Sequence, residues 1–141
     1  MRLTDSSDLA LRILIYAVSV KERLFTIDDI VATYGQSRGT VMKVVNLLTR
    51  TGFLTGHRGR NGGLSLAKPA DTIIVSDIVM QTEPDMGLVE CLRPGNTCRI
   101  TASCRLIHPL QRARAAFIST LSEYTLADIA LPPKVFEDLA P

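Results

Sequence analysis

Two apolar stripes with helical spacing, separated by a glycine, most constrain the fold of this chain. They lie between residues 26 and 52 and consist of Ile27, Ile30, Val31 and Tyr34, then Val41, Val44, Val45 and Leu48. Recurrence at intervals of three and four residues is typical of amphipathic helices. Gly35 follows the first stripe, where a helix C-terminus favours a left-handed residue, and Gly52 follows the second. The pattern predicts two short helices joined by a tight turn, a helix-turn-helix.

Capping residues place the ends of these helices. Thr26 is a predicted N-cap, and Asp29 three residues later forms a capping box with aspartate in place of glutamate. The second helix is predicted from about Arg38 to Thr51. An earlier helix, with N-caps available from Thr4 to Ser7, carries the stripe Leu9, Ile13, Tyr16 and Val20.

A short β-hairpin is predicted directly after these helices. Residues 53–56 and 64–67 have strand character, and the segment between them reads His-Arg-Gly-Arg-Asn-Gly-Gly. Glycines let the backbone approach another molecule closely, and arginines can enter a minor groove or contact phosphates. The hairpin is therefore predicted to be the wing of a winged helix.

The distribution of charge favours a polyanion-binding face. No acidic residue lies between Asp29 and Asp71, although the whole chain carries 14 Asp and Glu against 16 Lys and Arg. A basic segment in an otherwise acidic chain is typical of nucleic-acid contact. The candidate DNA-binding residues are Gln36, Ser37, Arg38, Thr40, Lys43, Arg50, Arg58, Gly59, Arg60 and Asn61. The alternative interpretation is a solvated basic surface, with Gln36 and Ser37 serving only the turn and cap.

Composition excludes several classes of protein. At 46% hydrophobic residues the chain can build a core, and no apolar run approaches the length that spans a bilayer. The early acids and the lack of a cleavable apolar region predict no signal peptide and a cytoplasmic location. The two histidines, His57 and His108, have no nucleophile–base context, so an enzyme is not expected.

Three cysteines, Cys91, Cys98 and Cys104, lie within fourteen residues. Their C-x₆-C-x₅-C spacing differs from the C-x₂-C pairs of zinc sites, and it suits a loop around something bulkier than one ion. Three thiolates are one ligand short of the usual four. The open alternatives are a zinc site and three small buried hydrophobic side chains without a ligand.

Three residues are candidates for the fourth ligand. His108 lies one helical turn after Cys104, Glu90 adjoins Cys91, and Asp8 is far away in the sequence. On the chemistry of the residues alone, His108 is favoured because imidazole is the commoner ligand.

The remaining elements are two helices. A short one is predicted from Ser76 to Thr82, and a long one from about Ser103 to Glu123, with Pro109 marking either a kink or the true start. The stripe of the long helix is Leu106, Leu110, Ala113, Phe117 and Leu121. The predicted fold is mainly α: a winged helix-turn-helix DNA-binding domain over residues 1–83, a cysteine-rich cluster-binding loop over 84–104, and a dimerisation helix with its tail over 105–141.

Taken together, these motifs resemble the NsrR/IscR/RirA family of bacterial winged-helix iron–sulfur repressors over essentially the whole length. The matching pieces are the segments 1–4 and 8–12, the helix-turn-helix, the wing at 58–64, the three-cysteine loop and the long helix. The resemblance is greatest to the NsrR branch, whose members sense nitric oxide. It implies a repressor of nitric-oxide detoxification or denitrification genes.

The resemblance also implies a site. It implies a homodimer with one 4Fe-4S cluster per subunit, or alternatively a 2Fe-2S cluster, held by the three cysteines. The fourth ligand would be Asp8 of the partner subunit, with Arg12 close by, and the site would regulate binding to palindromic double-stranded operator DNA. The IscR branch places its histidine ligand at the position of Ile107 here, one residue before His108. An iron- or cluster-status-responsive repressor of the RirA or IscR type remains the alternative, and a small electron-transfer or thiol-redox protein is the alternative outside this class.

Overall fold

The computed structural model describes residues 2–139, so Met1, Ala140 and Pro141, at the ends of the predicted first and third parts, lie outside the described residues. The predicted mainly α fold with a small hairpin is confirmed. The described part contains helices α1 (Asp5–Ser19), α2 (Ile27–Tyr34), α3 (Arg38–Arg50), α4 (Val75–Thr82), α5 (Ile107–Ser122) and α6 (Pro133–Glu137), and strands β1 (Leu54–His57) and β2 (Gly63–Leu66). Among these helices, none combines the length and the apolar character needed to cross a membrane.

The predicted caps of the first two helices are confirmed. The Thr4 side chain accepts a hydrogen bond from the Ser7 amide at the start of α1. The predicted capping box of α2 is complete, because the Asp29 carboxylate accepts from the Thr26 amide (2.7 Å) and the Thr26 hydroxyl accepts from the Asp29 amide (3.2 Å). Gly35 ends α2 with φ +63°, a left-handed conformation that costs glycine little. The helix-turn-helix corner therefore follows from local signals.

One apolar core holds the helices and the hairpin together. Its fully buried side chains come mostly from α1, α3 and α4, and include Ile13, Leu14, Ile30, Val41, Leu48 and Ile78. Antiparallel pairing of β1 with β2 places Leu54 opposite Leu66. Phe25, just before α2, forms a bridge with Leu64 and so attaches the hairpin to the helical core.

The predicted start of the long helix is wrong. It begins at Ile107 rather than Ser103, and a separate 3₁₀ turn occupies Thr101–Ser103. Leu106, assigned to the apolar stripe, precedes the helix and is 57% exposed. Pro109 is the third residue of α5, where its missing N–H has no helical acceptor to lose, so it marks the start of the helix and does not kink it. The two strands are also shifted by one residue from their predicted positions.

The tail after α5 returns to the first helices. Leu126 is fully buried and its amide donates to the Ile73 carbonyl (2.7 Å). Phe136 on α6 packs edge-to-face on Tyr16 of α1, with ring centroids 5.1 Å apart. By contrast, no residue of α5 is buried within the chain. The long helix is thus covered less than the tail that follows it.

Candidate DNA-binding surface and cysteine loop

Helix α3 presents its polar side to solvent. Val41, Val44, Val45 and Leu48 are buried, so the residues between them point away from the core. Every helix-turn-helix residue predicted to contact DNA is exposed, namely Gln36, Ser37, Arg38, Thr40, Lys43 and Arg50. The structure therefore brings these six residues to the outside of one helix and its preceding turn.

Two of these residues also have structural partners. Ser37 is the N-cap of α3, and its hydroxyl oxygen accepts from the Thr40 amide (3.1 Å). Arg38 forms an ion pair with Asp28 of α2. Ser37 thus has the capping role that was the alternative to DNA contact. The pairing of Arg38 with Asp28 was not predicted, because it joins residues of two different helices.

The hairpin tip is built so that its arginines stay exposed. Arg58, Gly59, Arg60 and Asn61 are all exposed, and Gly59 has φ +113°. A Cβ at Gly62 would lie 2.3 Å from the His57 carbonyl oxygen, and one at Gly63 would lie 2.8 Å from that of Phe25. Glycine is therefore required for this tight return of the chain.

The wing arginines give a prediction about salt dependence. Replacing Arg58 and Arg60 together by alanine should reduce the slope of log affinity against log salt by roughly 2, because each lost phosphate contact retains about one counterion. Titrations of a labelled duplex at several salt concentrations measure this slope. The control is Lys21→Ala with Lys134→Ala, which removes two exposed charges elsewhere. A slope equal to that of the wild type would show that the wing does not contact phosphate.

The cysteine loop is held by polar side chains. The Asn96 amide oxygen accepts from the Cys98 amide (2.9 Å), and the Thr101 hydroxyl donates to the Cys98 carbonyl (2.7 Å). The Glu90 carboxylate accepts from the amide and hydroxyl of Thr97, and these hydrogen bonds lower the pKa of Glu90. Pro94-Gly95-Asn96 is a typical turn signal, but the hydrogen bonds of Asn96 and Thr101 to the main chain of Cys98 were not predicted.

All three cysteines are free thiols of intermediate exposure. Reduced, accessible thiols are the ligands that iron–sulfur clusters take in proteins, so the donor set fits such a cluster in its chemistry. Within residues 2–139, however, no group of three or more His, Cys, Asp or Glu side chains is arranged to hold a metal ion. The thiol donors are thus present on one loop, and the described part of a single chain does not arrange them into a closed site.

The candidate fourth ligands lie in different surroundings. Glu90 is engaged with Thr97, and His108 is exposed at the second position of α5. Asp8 is exposed on α1 and pairs with Arg12 across one helical turn at 2.6 Å. The structure therefore brings together Asp8 and Arg12, the two α1 residues that the family resemblance implied.

Helix α1 contacts both the end of α4 and the helix-turn-helix. At its start, the amide of Thr4 donates to the carboxylate of Glu83 (2.6 Å), the residue that ends α4 before the loop. In its middle, the carbonyl of Arg12 accepts from the hydroxyl of Tyr34 (2.8 Å), the last residue of α2. Burial raises the pKa of Tyr34 to about 12, so the hydroxyl remains protonated as a donor near neutral pH.

The fold and the exposed basic face define a winged-helix DNA-binding protein. A family model described as Rrf2, iron-dependent transcriptional regulator, matches residues 3–131, and the chain therefore belongs to the Rrf2 family. Members of this family are DNA-binding transcription regulators rather than enzymes, and they are typically dimeric.

Solved structures share the fold. One is CymR, the global cysteine regulator of B. subtilis, with a TM-score of 0.73, 24% identity, and coverage of 92% of this chain and 96% of that chain. The oxidized form of Staphylococcus aureus CymR matches with a TM-score of 0.72, 22% identity and coverage of 92% and 96%. IscR of T. potens matches with a TM-score of 0.73, 18% identity and coverage of 92% and 85%.

Proposed function

We propose that the chain is a dimeric operator-binding repressor that carries an iron–sulfur cluster and senses nitric oxide, like members of the NsrR branch. The observation that carries this proposal is the set of three free, partly exposed thiols on one organised loop, in a family described as iron-dependent. Helix α3 would lie in the major groove and the wing in or along the adjacent groove, as in dimeric winged-helix regulators. Residues 1–83, 84–104 and 105–141 would then serve DNA binding, cluster binding and dimerisation.

Cys91, Cys98 and Cys104 would hold a 4Fe-4S cluster, or alternatively a 2Fe-2S cluster, one per subunit. The fourth ligand would be Asp8 of the partner subunit. When bound, the cluster supplies iron atoms that nitric oxide can attack, most readily where the ligand is a weakly held oxygen. Residues 2–139 of one chain form no closed site, which supports a ligand from the partner subunit.

The residues of the chain itself can connect this site to DNA. The Arg12 guanidinium lies 2.6 Å from the Asp8 carboxylate and holds this side chain in place on the exposed side of α1. The Arg12 backbone is bonded to Tyr34, which directly precedes the turn into α3. A shift of Asp8 would therefore move α1 against the helix-turn-helix. A coupling of roughly 1–3 kcal/mol already changes operator affinity several-fold to a hundredfold.

The proposed dimer uses α5. Its apolar residues Leu110, Phe117, Ile118 and Leu121 are only partly covered within the chain. A long helix with an apolar stripe is stable in water when a second surface covers the stripe. Pairing of α5 with its copy would supply this surface and set the distance between the two recognition helices.

The decisive experiment joins two measurements on anaerobically reconstituted protein. Native mass spectrometry reports the type of cluster and the oligomeric state, and titration with nitric oxide follows binding to a duplex that the protein enriches from a randomised pool. We expect a cluster-loaded dimer whose DNA affinity falls as the cluster reacts. Unchanged binding after complete nitrosylation would contradict the sensor function.

Replacing Asp8 by alanine should weaken the site without removing it. The three thiolates remain, but one ligand is lost, so we expect the cluster to be lost about 10–100-fold faster under a chelator. Loss of the visible absorption over time measures this rate. The control is His108→Ala, which should behave like the wild type. If Asp8→Ala has no effect and His108→Ala accelerates the loss, the fourth ligand is the histidine.

A second candidate function is a repressor that responds to iron supply or cluster status, of the RirA or IscR type. The family description favours it directly. It predicts that operator binding follows iron loading and is little affected by sub-stoichiometric nitric oxide. The same titration therefore separates the two functions. A colourless zinc-loaded protein would exclude both.

A further inference from the structure

The proposed recognition helix begins with a basic residue that is paired to an acid of the preceding helix. Arg38 is the first residue of α3, and its Nη1 donates to Oδ1 of Asp28 in the first turn of α2. The two residues are ten positions apart, so the pair exists only because the corner brings the starts of α2 and α3 together. Both side chains are largely exposed, at 59% and 74%.

This pair has little to contribute to stability. Exposed ion pairs are screened by water and salt and stabilise a fold weakly. Arg38 also lies at the positive end of the α3 dipole, which is unfavourable for a cation, and the first turn of α3 contains no acid. Ser37 already caps the helix. The ion pair with Asp28 thus holds Arg38 at the N-terminus of α3, where a positive charge does not stabilise the helix.

The geometry suits an arginine that reads a base. A guanidinium carries five N–H donors in a rigid fork, and the bond to Asp28 uses one of them at Nη1. A two-donor contact to the O6 and N7 atoms of guanine can therefore form while the bond to Asp28 is kept. A side chain already held in place loses less conformational freedom on binding. The negative charge of Asp28 also opposes the attraction of Arg38 to phosphates of any sequence.

We propose that Asp28 is a specificity-determining positioning residue, which acts through Arg38 by directing its guanidinium to a base and away from phosphate. This inference rests on the proposed role of α3 in reading the operator. The two residues then have different roles. Arg38 makes the base contact, and Asp28 raises the ratio of specific to non-specific DNA affinity without contacting a base.

The test measures affinities for two duplexes of equal length, one that the wild-type protein enriches from a randomised pool and one with its sequence scrambled. Asp28→Asn should lower the ratio of the two affinities about five- to tenfold, partly by strengthening binding to the scrambled duplex. Repeating the enrichment with this variant should relax base preference at one position of each half-site. Asp77→Asn, an exposed acid in the first turn of α4, is the charge-matched control.

The same substitution made in an Arg38→Ala background tests whether Asp28 acts through Arg38. There, Asp28→Asn should leave the affinity ratio unchanged, because no guanidinium remains to be directed. An unchanged ratio for Asp28→Asn in the wild-type background, an equal change in Asp77→Asn, or a full effect of Asp28→Asn without Arg38 would each overturn the inference. If Arg38→Ala itself leaves binding and base preference intact, the proposed base-reading role of Arg38 fails instead.

Discussion

Replacing Cys98 by serine should abolish cluster binding while leaving the fold and the basic face intact. Serine is not deprotonated at neutral pH and is a poor ligand for iron, so two thiolates would remain where three are needed. The main-chain bonds from Cys98 to Asn96 and Thr101 do not involve its thiol, so the loop keeps its organisation. The expected result of anaerobic reconstitution is a colourless variant and a brown wild-type protein.

Iron and acid-labile sulfide analysis, together with visible absorption, measure this loss. Circular dichroism should show the helix content of the wild type. Ser103→Ala, an exposed residue of the same loop, is the control and should load normally. A Cys98→Ser variant with the iron and sulfide content of the wild type would remove the basis of the proposed cluster site, whatever its effect on DNA binding.

Replacing Phe25 by alanine should cost about 3–5 kcal/mol of the free energy of unfolding, as expected for a large buried aromatic side chain. Phe25 is 1% exposed and packs edge-to-face on Tyr16 at 5.6 Å. Its main chain also exchanges two hydrogen bonds with Leu64 of β2, at 3.0 and 2.7 Å. The substitution therefore opens a cavity where the wing joins the core, and the loss is a large part of an ordinary domain's stability.

Urea unfolding at a fixed protein concentration measures the change, since a dimer's apparent stability depends on concentration. Tyr124→Ala removes an aromatic ring of a residue that is 47% exposed, and it should cost less than about 1 kcal/mol. Comparable losses for both variants would mean that Phe25 does not anchor the hairpin. Because the wing arginines depend on this anchor, DNA affinity should fall with Phe25→Ala even where the protein remains folded.

Local signals predicted the DNA-binding half well. The Thr26–Asp29 capping box and the turn at Gly35 were placed correctly because caps and left-handed glycines act within a few residues. The exposed side of α3 followed from its apolar stripe. The start of α5 was placed wrongly because Leu106 continues the apolar spacing. Spacing alone does not separate a 3₁₀ turn and a second turn from the first turn of an α-helix.

The sequence predicted which residues belong to the candidate sites but not which of them contact one another. Charge and glycine content pointed to Arg38, Arg58 and Arg60, but the pairing of Arg38 with Asp28 depends on how α2 crosses α3. Likewise, the three cysteines were evident, while the bond of Glu90 to Thr97, which weakens the case for Glu90 as a ligand, depends on the path of the loop. Neither contact can be predicted from a local sequence pattern.

The sequence by itself determined the class of fold, the basic face and the set of thiol donors, because caps, apolar periodicity and charge act over short distances along the chain. The tertiary structure decided which residues share a contact: Thr4 with Glu83, Arg12 with Tyr34, and Asp28 with Arg38. These pairs join positions 79, 22 and 10 residues apart. Such contacts form only once the apolar core has packed the helices against one another, and packing angles are not encoded in any local motif.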